Sequence, residues 1–131
     1  MNNYDAWNEL KKKLQDIEEP PLFRERDIWW YAAGENLGSE INGKGPKFSR
    51  PILIIRKYGD TTFFGVPLST KKLSGFWYSN ITVNSAKRCA LLSQASSFSS
   101  LRLYKKIDRL SPPEFNKICT KLGKLLLKIT P

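Results

Sequence analysis

The sequence limits the chemistry available to this protein, because its 131 residues include no histidine. Histidine is the commonest metal ligand and the commonest general acid or base at neutral pH. The two cysteines, Cys89 and Cys119, lack CxxC spacing, so they predict neither a zinc site nor a disulfide framework. Any catalysis must therefore use arginine, lysine, hydroxyl or carboxylate side chains, and we expect no metal and no other cofactor.

One segment approaches the phosphate-binding loop pattern GxxxxGK[ST] but departs from it at a decisive position. The segment 38–45 ends in Lys44-Gly45, so glycine stands where a magnesium-binding hydroxyl is required. It also precedes a predicted strand, whereas a phosphate loop opens a helix whose N-terminal amides hold the phosphates. The segment therefore argues against nucleotide hydrolysis, and its glycines better suit a loop that approaches a partner or a ligand.

The net charge of +10 is unevenly distributed along the chain. Residues 1–27 carry a net charge of −2, whereas residues 28–100 and residues 101–131 carry +6 each. A positive surface attracts polyanions through counterion release and long-range steering. The charge therefore favours a nucleic-acid partner, with plain solubility as the alternative explanation.

Length and hydropathy place the chain among globular proteins. Hydrophobic residues make up 40% of the sequence, and 131 residues suffice for one core, so we expect a single domain over residues 1–131. No apolar run approaches the roughly 18 residues that a membrane span needs. The N-terminus also lacks the basic and apolar regions of a signal peptide. We therefore expect a cytoplasmic protein with no membrane partner.

A helix is predicted near each end of the chain. Within residues 1–20, apolar residues recur at helical spacing until Pro20-Pro21 end the pattern. Within residues 111–129, Ser111 can cap the helix, Pro112 takes its first position and Glu114 its third. Lysines form a stripe on this second helix, and a solvated helix face is the simpler interpretation of that stripe.

Residues 26–107 read as short strands separated by turn signals, without intervening helices. The predicted strands are Asp27–Ala33, Arg50–Arg56, Thr61–Leu68, Phe76–Val83, Cys89–Gln94 and Arg102–Ile107. Such an order predicts a mostly β protein, with a small, partly closed antiparallel barrel flanked by helices.

An ordered set of motifs resembles the MazF/PemK family, toxins of bacterial toxin–antitoxin pairs that cut single-stranded RNA. The set comprises an aromatic strand, a "GSE" loop, an "RP" strand opening, and a hydroxyl pair after "VP". In this chain these are Asp27–Tyr31, Gly38–Glu40, Arg50-Pro51 and Ser69-Thr70. The resemblance covers residues 26–128 and implies an SH3-like barrel of the CcdB/MazF type, single-stranded RNA as substrate, an acidic antitoxin as partner, and a homodimer.

The resemblance also implies roles for individual residues. The family's catalytic arginine falls on Arg50, its catalytic threonine on Ser69 with Thr70 beside it, and its loop acid on Glu40. Metal-free cleavage proceeds by attack of the ribose 2′-hydroxyl on the adjacent phosphate. A guanidinium can bind two oxygens of the pentacovalent centre, and a hydroxyl adds a neutral donor.

Basic and aromatic residues near these motifs are candidates for RNA binding. Residues Trp29, Trp30 and Tyr31 must alternate faces in a strand, so at least one belongs to the core while another can stack on bases. The same holds for the segment Phe76-Trp77-Tyr78, where it stays open which side chain belongs to the core and which can stack on bases. The predicted RNA-binding residues are Lys44, Lys47, Lys71, Lys72, Trp30 and Trp77.

Other interpretations of the same residues remain open. Arg50 could end its strand in solvent or pair with Glu40, and Ser69 could be an ordinary turn hydroxyl. Family members often carry an arginine and an aspartate in a "QxRxxD" pattern, where this chain has Ser96 and Ser99. Two further hypotheses are a toxin of the same fold that binds a protein such as gyrase, as CcdB relatives do, and a non-catalytic RNA-binding module.

Overall fold

The computed structural model describes residues 21–32 and 49–127. The predicted N-terminal helix within residues 1–20 lies outside the described residues, and so does the end of the predicted C-terminal helix. The same holds for three predicted site residues, Glu40, Lys44 and Lys47.

Within the described ranges the protein consists of strands followed by a C-terminal helix. The elements are β1 (Asp27–Ala32), β2 (Ser49–Lys57), β3 (Thr62–Ser69), β4 (Tyr78–Val83), β5 (Ala86–Leu91), β6 (Ser96–Ser99), β7 (Leu103–Arg109) and α1 (Pro112–Leu127). The strand pairs are antiparallel. The prediction of a mostly β fold with a C-terminal helix is thereby confirmed.

The strands form a half-barrel in the order β4-β5-β3-β2-β1-β7, with β6 also paired to β3. Along one edge, β3 changes partners: Thr62 to Gly65 pair with β6, whereas Leu68 and Ser69 pair with Ala90 and Cys89 of β5. The change falls at Val66-Pro67, where proline has no N–H to offer to a ladder. As a result the end of β3 lies beside β5.

The sheet is buried on both faces. Alternate residues of β1 and β2 belong to two different apolar clusters, because successive side chains of a strand point to opposite faces of the sheet. One cluster packs beneath α1 and contains Ile28, Leu53, Val66, Leu68, Ile81, Val83, Ala90, Leu92, Leu110, Ile118 and Leu122. The other contains Phe23, Trp29, Tyr31, Ile52, Ile54, Phe63 and Leu103. Burial of each large side chain stabilises the fold by about 1.5–3 kcal/mol.

Helix α1 begins where its cap sequence predicts. The Ser111 hydroxyl accepts a hydrogen bond from the Glu114 N–H at 3.4 Å. The Phe115 N–H donates to the Ser111 carbonyl at 2.9 Å, which closes the first turn. Ile118 and Leu122 then point into the core, so the helix covers the sheet with one apolar face.

The predicted strand Cys89–Gln94 was wrong at both of its ends. The segment predicted as a strand over Cys89–Gln94 is the end of β5 followed by a 3₁₀ turn at Leu92–Gln94. Strand β5 begins earlier because Asn84 and Ser85 take positive φ angles of 49° and 66°, as a two-residue hairpin turn requires. Strand β6 was not predicted, because its sequence is three serines and one phenylalanine.

A buried carboxylate joins the start of β1 to β7. Asp27 is 0% exposed, and its Oδ2 accepts hydrogen bonds from the Arg24 N–H at 2.9 Å and the Trp29 Nε1–H at 3.3 Å. Its Oδ1 lies 3.4 Å from Lys106 Nζ and 3.7 Å from Arg109 Nε. The two N–H donors and the two cations offset part of the cost of burying this charge, although Oδ1 accepts no hydrogen bond within the described residues.

Candidate functional site

A depression of about 440 Å³ opens where β1, β2, the end of β3 and β5 come together. The partner change of β3 creates this place, since it sets the strand's last residues against β5 rather than β6. The polar and aromatic side chains that line the depression include Trp30, Arg50, Ser69, Thr70, Lys71, Tyr78, Arg88 and Gln94. Residues distant in sequence thus meet at one point of the surface.

Arg50 lies near the start of β2, paired in register with Tyr31 of β1. Its side chain is exposed, and its Nη1–H donates to the Gln94 side-chain oxygen at 3.4 Å. A bond to a neutral amide orients a guanidinium without neutralising it. Arg50 therefore presents an oriented positive charge at the depression, and its suggested pairing with Glu40 falls outside the described residues.

Ser69 ends β3 and opens the turn that follows. Its Oγ accepts a hydrogen bond from the Lys71 N–H at 3.1 Å, the pattern of a serine turn. A hydroxyl that accepts one bond keeps its own O–H as a donor. Ser69 thus takes part in a turn, and Ser69 and Thr70 also line the depression.

The aromatic residues of β1 alternate between the two faces as predicted. Trp29 and Tyr31 are 9% exposed and pack in the cluster around Phe23. Trp30 is half-buried on the opposite face, in register with Pro51, and it lines the depression. An aromatic residue therefore lines the same depression as Arg50 and Ser69.

The depression is electrostatically one-sided. Arg50, Lys71 and Arg88 contribute cationic side chains, and no aspartate or glutamate of the described residues lines it. Low-dielectric walls carrying charges of one sign concentrate an anionic ligand. Sequence reasoning missed Arg88, because β5 was predicted to start at Cys89, whereas Arg88 lies within β5 opposite Ile81.

The connection from β3 to β4 is fastened to the rest of the fold at its far end. The Trp77 carbonyl accepts from the Leu92 N–H at 2.9 Å. Lys121 of α1 donates from Nζ to the Gly75 carbonyl at 3.3 Å and to the Tyr78 carbonyl. At Gly75 the φ angle is +127°, a backbone conformation that disfavours other residues. These bonds hold the main chain on which Tyr78 reaches the depression.

The structure does not bring every predicted site residue to this depression. Lys72 lines a neighbouring cavity instead. Trp77 is 47% exposed and is absent from the wall of the depression. Conversely, Tyr78 and Gln94 line the depression but were not predicted as site residues, although both belong to segments that the sequence singled out.

The two serines that depart from the family pattern, Ser96 and Ser99, lie at the two ends of β6. Ser96 is exposed in β6, opposite Gly65 of β3. Ser99 ends β6, and its hydroxyl accepts from the Leu101 N–H at 3.3 Å, which caps a 3₁₀ turn. Ser99 therefore ends the strand and starts the following turn without a charged side chain.

In residues 21–32 and 49–127, no three histidine, cysteine, aspartate or glutamate side chains come together to hold a metal ion. Over the same residues, no helix is both long and apolar enough to span a membrane.

Comparison with protein families identifies the chain. Residues 24–126 match the model of the PemK-like, MazF-like toxins of type II toxin–antitoxin systems. This match covers most of the sequence, so the chain belongs to that toxin family. Among curated protein sequences, none matches the chain at a significant level.

Solved structures share the fold at low sequence identity. An endoribonuclease from a mycobacterial species, in complex with its cognate antitoxin, superposes with a TM-score of 0.62 at 14% identity, covering 82% of this chain and 97% of its own. The toxin MazF-mt6 of Mycobacterium tuberculosis gives a TM-score of 0.59 at 12% identity, covering 77% and 96% respectively. These similarities establish the MazF-type fold.

Proposed function

We propose that this toxin is an endoribonuclease that cleaves single-stranded RNA without a metal ion, and that its active site is the depression around Arg50 and Ser69. The convergence in that depression carries the proposal: an oriented guanidinium, a strand-end hydroxyl and an aromatic ring come from three strands and meet without a carboxylate among the described lining residues. Such a set suits a polyanionic substrate with stackable bases.

The proposed reaction is an internal transesterification. The ribose 2′-oxygen forms a bond to the adjacent phosphorus and loses its proton, while the bond from phosphorus to the 5′-oxygen breaks and that oxygen gains a proton. The products are a 2′,3′-cyclic phosphate and a 5′-hydroxyl. Glu40 stays a predicted catalytic residue, because it lies outside the described residues.

In this scheme the described residues stabilise the pentacovalent phosphorane. Arg50 donates in a fixed fork to two non-bridging oxygens, where negative charge accumulates. The Ser69 hydroxyl accepts a hydrogen bond from the Lys71 N–H and, through its own O–H, donates a hydrogen bond to the same centre. Lys71 and Arg88 bind the phosphate backbone as point charges, and Trp30 stacks on a neighbouring base.

The partners follow from the family and the charge. We propose that an acidic antitoxin segment covers the basic depression, as the mycobacterial relative's complex with its antitoxin suggests. We also propose that the toxin acts in the cytoplasm, where messenger RNA is available.

We also propose that the toxin is a homodimer, as its resemblance to the family implies. For a chain of 15.1 kDa, light scattering on the purified protein should give about twice this mass. A monomeric mass at the concentrations that support RNA cleavage would contradict the dimer.

The test of the active site is substitution of its two central residues in the purified toxin. Arg50→Ala should lower kcat for RNA cleavage by about 100-fold or more, because the transition state loses its charged donor. Ser69→Ala should lower kcat by about tenfold, since only a neutral donor is lost. Growth arrest on expression should weaken in the same order.

Arg56→Ala is the matched control, because Arg56 lies on the same strand with a 73% exposed side chain and outside the depression. It should cleave RNA at the wild-type rate, and circular dichroism should show the same fold for all variants. An Arg50→Ala toxin as active as Arg56→Ala would refute the proposed site.

A further inference from the structure

A second cavity adjoins the candidate active site on the far side of β5. Its volume is about 530 Å³, which is ample for a nucleotide-sized ligand. It lies between the chain after β3, the β4–β5 hairpin and the start of α1. The two depressions share Thr70, Lys71, Leu73 and Arg88, so they are neighbours across a common ridge.

The lining of this second cavity is strongly cationic. Lys72 and Lys87 contribute positive charges in addition to the shared Lys71 and Arg88. Glu114 is the one carboxylate among the described lining residues, and its Oε1 already accepts from the Ser111 hydroxyl at 3.3 Å. The cavity therefore has a net positive charge of the kind that binds phosphate.

The hairpin supplies neutral hydrogen-bonding groups as well. Asn80 and Thr82 are exposed side chains of β4, and Thr82 is in register with Lys87 of β5. Amide and hydroxyl groups beside cations are typical contacts of a sugar–phosphate backbone. The cavity thus combines charge with polar groups that can fix the position of a nucleotide.

We infer that this second cavity is a subsite for the same RNA strand, in which Lys72 and Lys87 hold a backbone phosphate beyond the cleaved linkage. The inference rests on the proposed function. The RNA strand would cross the shared ridge, where Lys71 and Arg88 line both depressions, and continue along the β4–β5 hairpin. Nucleotides outside the cleaved linkage then contribute to binding through their phosphates.

A phosphate scan tests this subsite. In a single-stranded RNA of about twelve nucleotides with one mapped cleavage site, each phosphate other than the cleaved one is replaced in turn by a neutral methylphosphonate. For the wild-type toxin, one such replacement should lower kcat/KM by about fivefold to tenfold, because a lysine–phosphate contact is lost. The full chain is used throughout.

Variants of the toxin then identify the residue that makes the contact. Lys87→Gln should show the same loss on the unmodified RNA and no additional loss on the RNA with the sensitive phosphate neutralised. Lys117→Gln removes the same charge from the exposed face of α1, outside this cavity, and should behave as the wild type does.

The two proposals fail in different ways in this experiment. If the wild type cleaves the RNA but Lys87→Gln keeps the full penalty for every neutral linkage, the subsite is refuted and the active site stands. If the wild type cleaves no single-stranded RNA, so that no cleavage site can be mapped, the proposed function fails and the subsite fails with it. Loss of the penalty at one linkage in Lys87→Gln alone supports the subsite.

Discussion

Asp27 and Arg50 are charged residues on neighbouring strands, but one is buried and the other exposed. We therefore assign them different roles, one in stability and one in ligand binding. Asp27 is fully buried, with two N–H donors and two cations around its carboxylate, which marks it as part of the framework. Arg50 is exposed at the depression with one neutral partner among the described residues. A charged side chain without an oppositely charged neighbour can bind an ionic ligand. A buried side chain that is paired with opposite charges instead contributes to the stability of the fold.

The framework role of Asp27 predicts a stability change. Asp27→Asn keeps the size of the side chain but removes the charge that Lys106 and Arg109 approach, and it places an amide donor among donors. The free energy of unfolding should fall by about 2–4 kcal/mol in urea titrations.

Asp60→Asn is the control for this experiment, because the Asp60 side chain is 84% exposed in its pair with Lys57. A change of less than about 1 kcal/mol is expected there, as for other surface ion pairs. Equal stabilities of the Asp27→Asn and Asp60→Asn proteins would contradict the framework role.

At the scale of elements, helix α1 does more than cover the sheet. Its Lys121 bonds to the carbonyls of Gly75 and Tyr78, where the β3–β4 connection returns to the sheet. The sequence placed this lysine in a solvated stripe, and the structure corrects that placement. The helix thus helps to position the Tyr78 side chain at the edge of the depression.

Lys121→Met removes these donors while keeping the aliphatic length of the side chain. Because the main chain at Tyr78 is then less restrained, kcat for RNA cleavage should fall by several-fold to about tenfold, with KM changing less. Lys121→Arg should restore most of the rate, which a loss of general stability would not explain.

Lys124→Met is the matched control on the same helix, since Lys124 is exposed and makes no hydrogen bond within the described residues. It should retain the wild-type kcat. If Lys121→Met and Lys124→Met give the same kcat, Lys121 does not position the site.

Local signals in the sequence predicted much of this architecture. The Ser111 cap, the alternating aromatic residues of β1 and the strand that begins near Arg50 depend on neighbours in sequence, and the structure shows each of them. Arg50 and Ser69 were predicted as one site from a family pattern, and the structure places both at one depression.

Features that depend on distant partners could not be predicted in this way. Strand β6 exists because Phe98 packs against the Phe63 cluster and its backbone pairs with β3, since serine has little strand preference of its own. Arg88 lines the depression because the turn at Asn84-Ser85 makes β5 begin at Ala86 rather than at the predicted Cys89. Periodicity within one segment carries no information on such contacts.

At the scale of the whole molecule, the apolar clusters that stabilise the fold and the cationic side chains of the candidate site are different sets of residues. Apolar clusters on both faces of the sheet hold the half-barrel together, and the polar and cationic side chains of the depression at the junction of β3 and β5 lie outside these clusters. The net charge of +10 then gives this depression a positive surrounding field. A stable scaffold with an uncompensated cationic site is well suited to an RNA-cleaving toxin controlled by an acidic partner.

The most direct test of the central claim is the identity of the RNA ends that the purified toxin produces. A long single-stranded RNA is incubated with the toxin in excess EDTA, and both ends at each cut are mapped. The account predicts cleavage that leaves a 2′,3′-cyclic phosphate and a 5′-hydroxyl, with no cut where a 2′-deoxynucleotide precedes the scissile phosphate. Cleavage that requires a divalent metal, that leaves 5′-phosphate ends, or that persists at the 2′-deoxy position would contradict it.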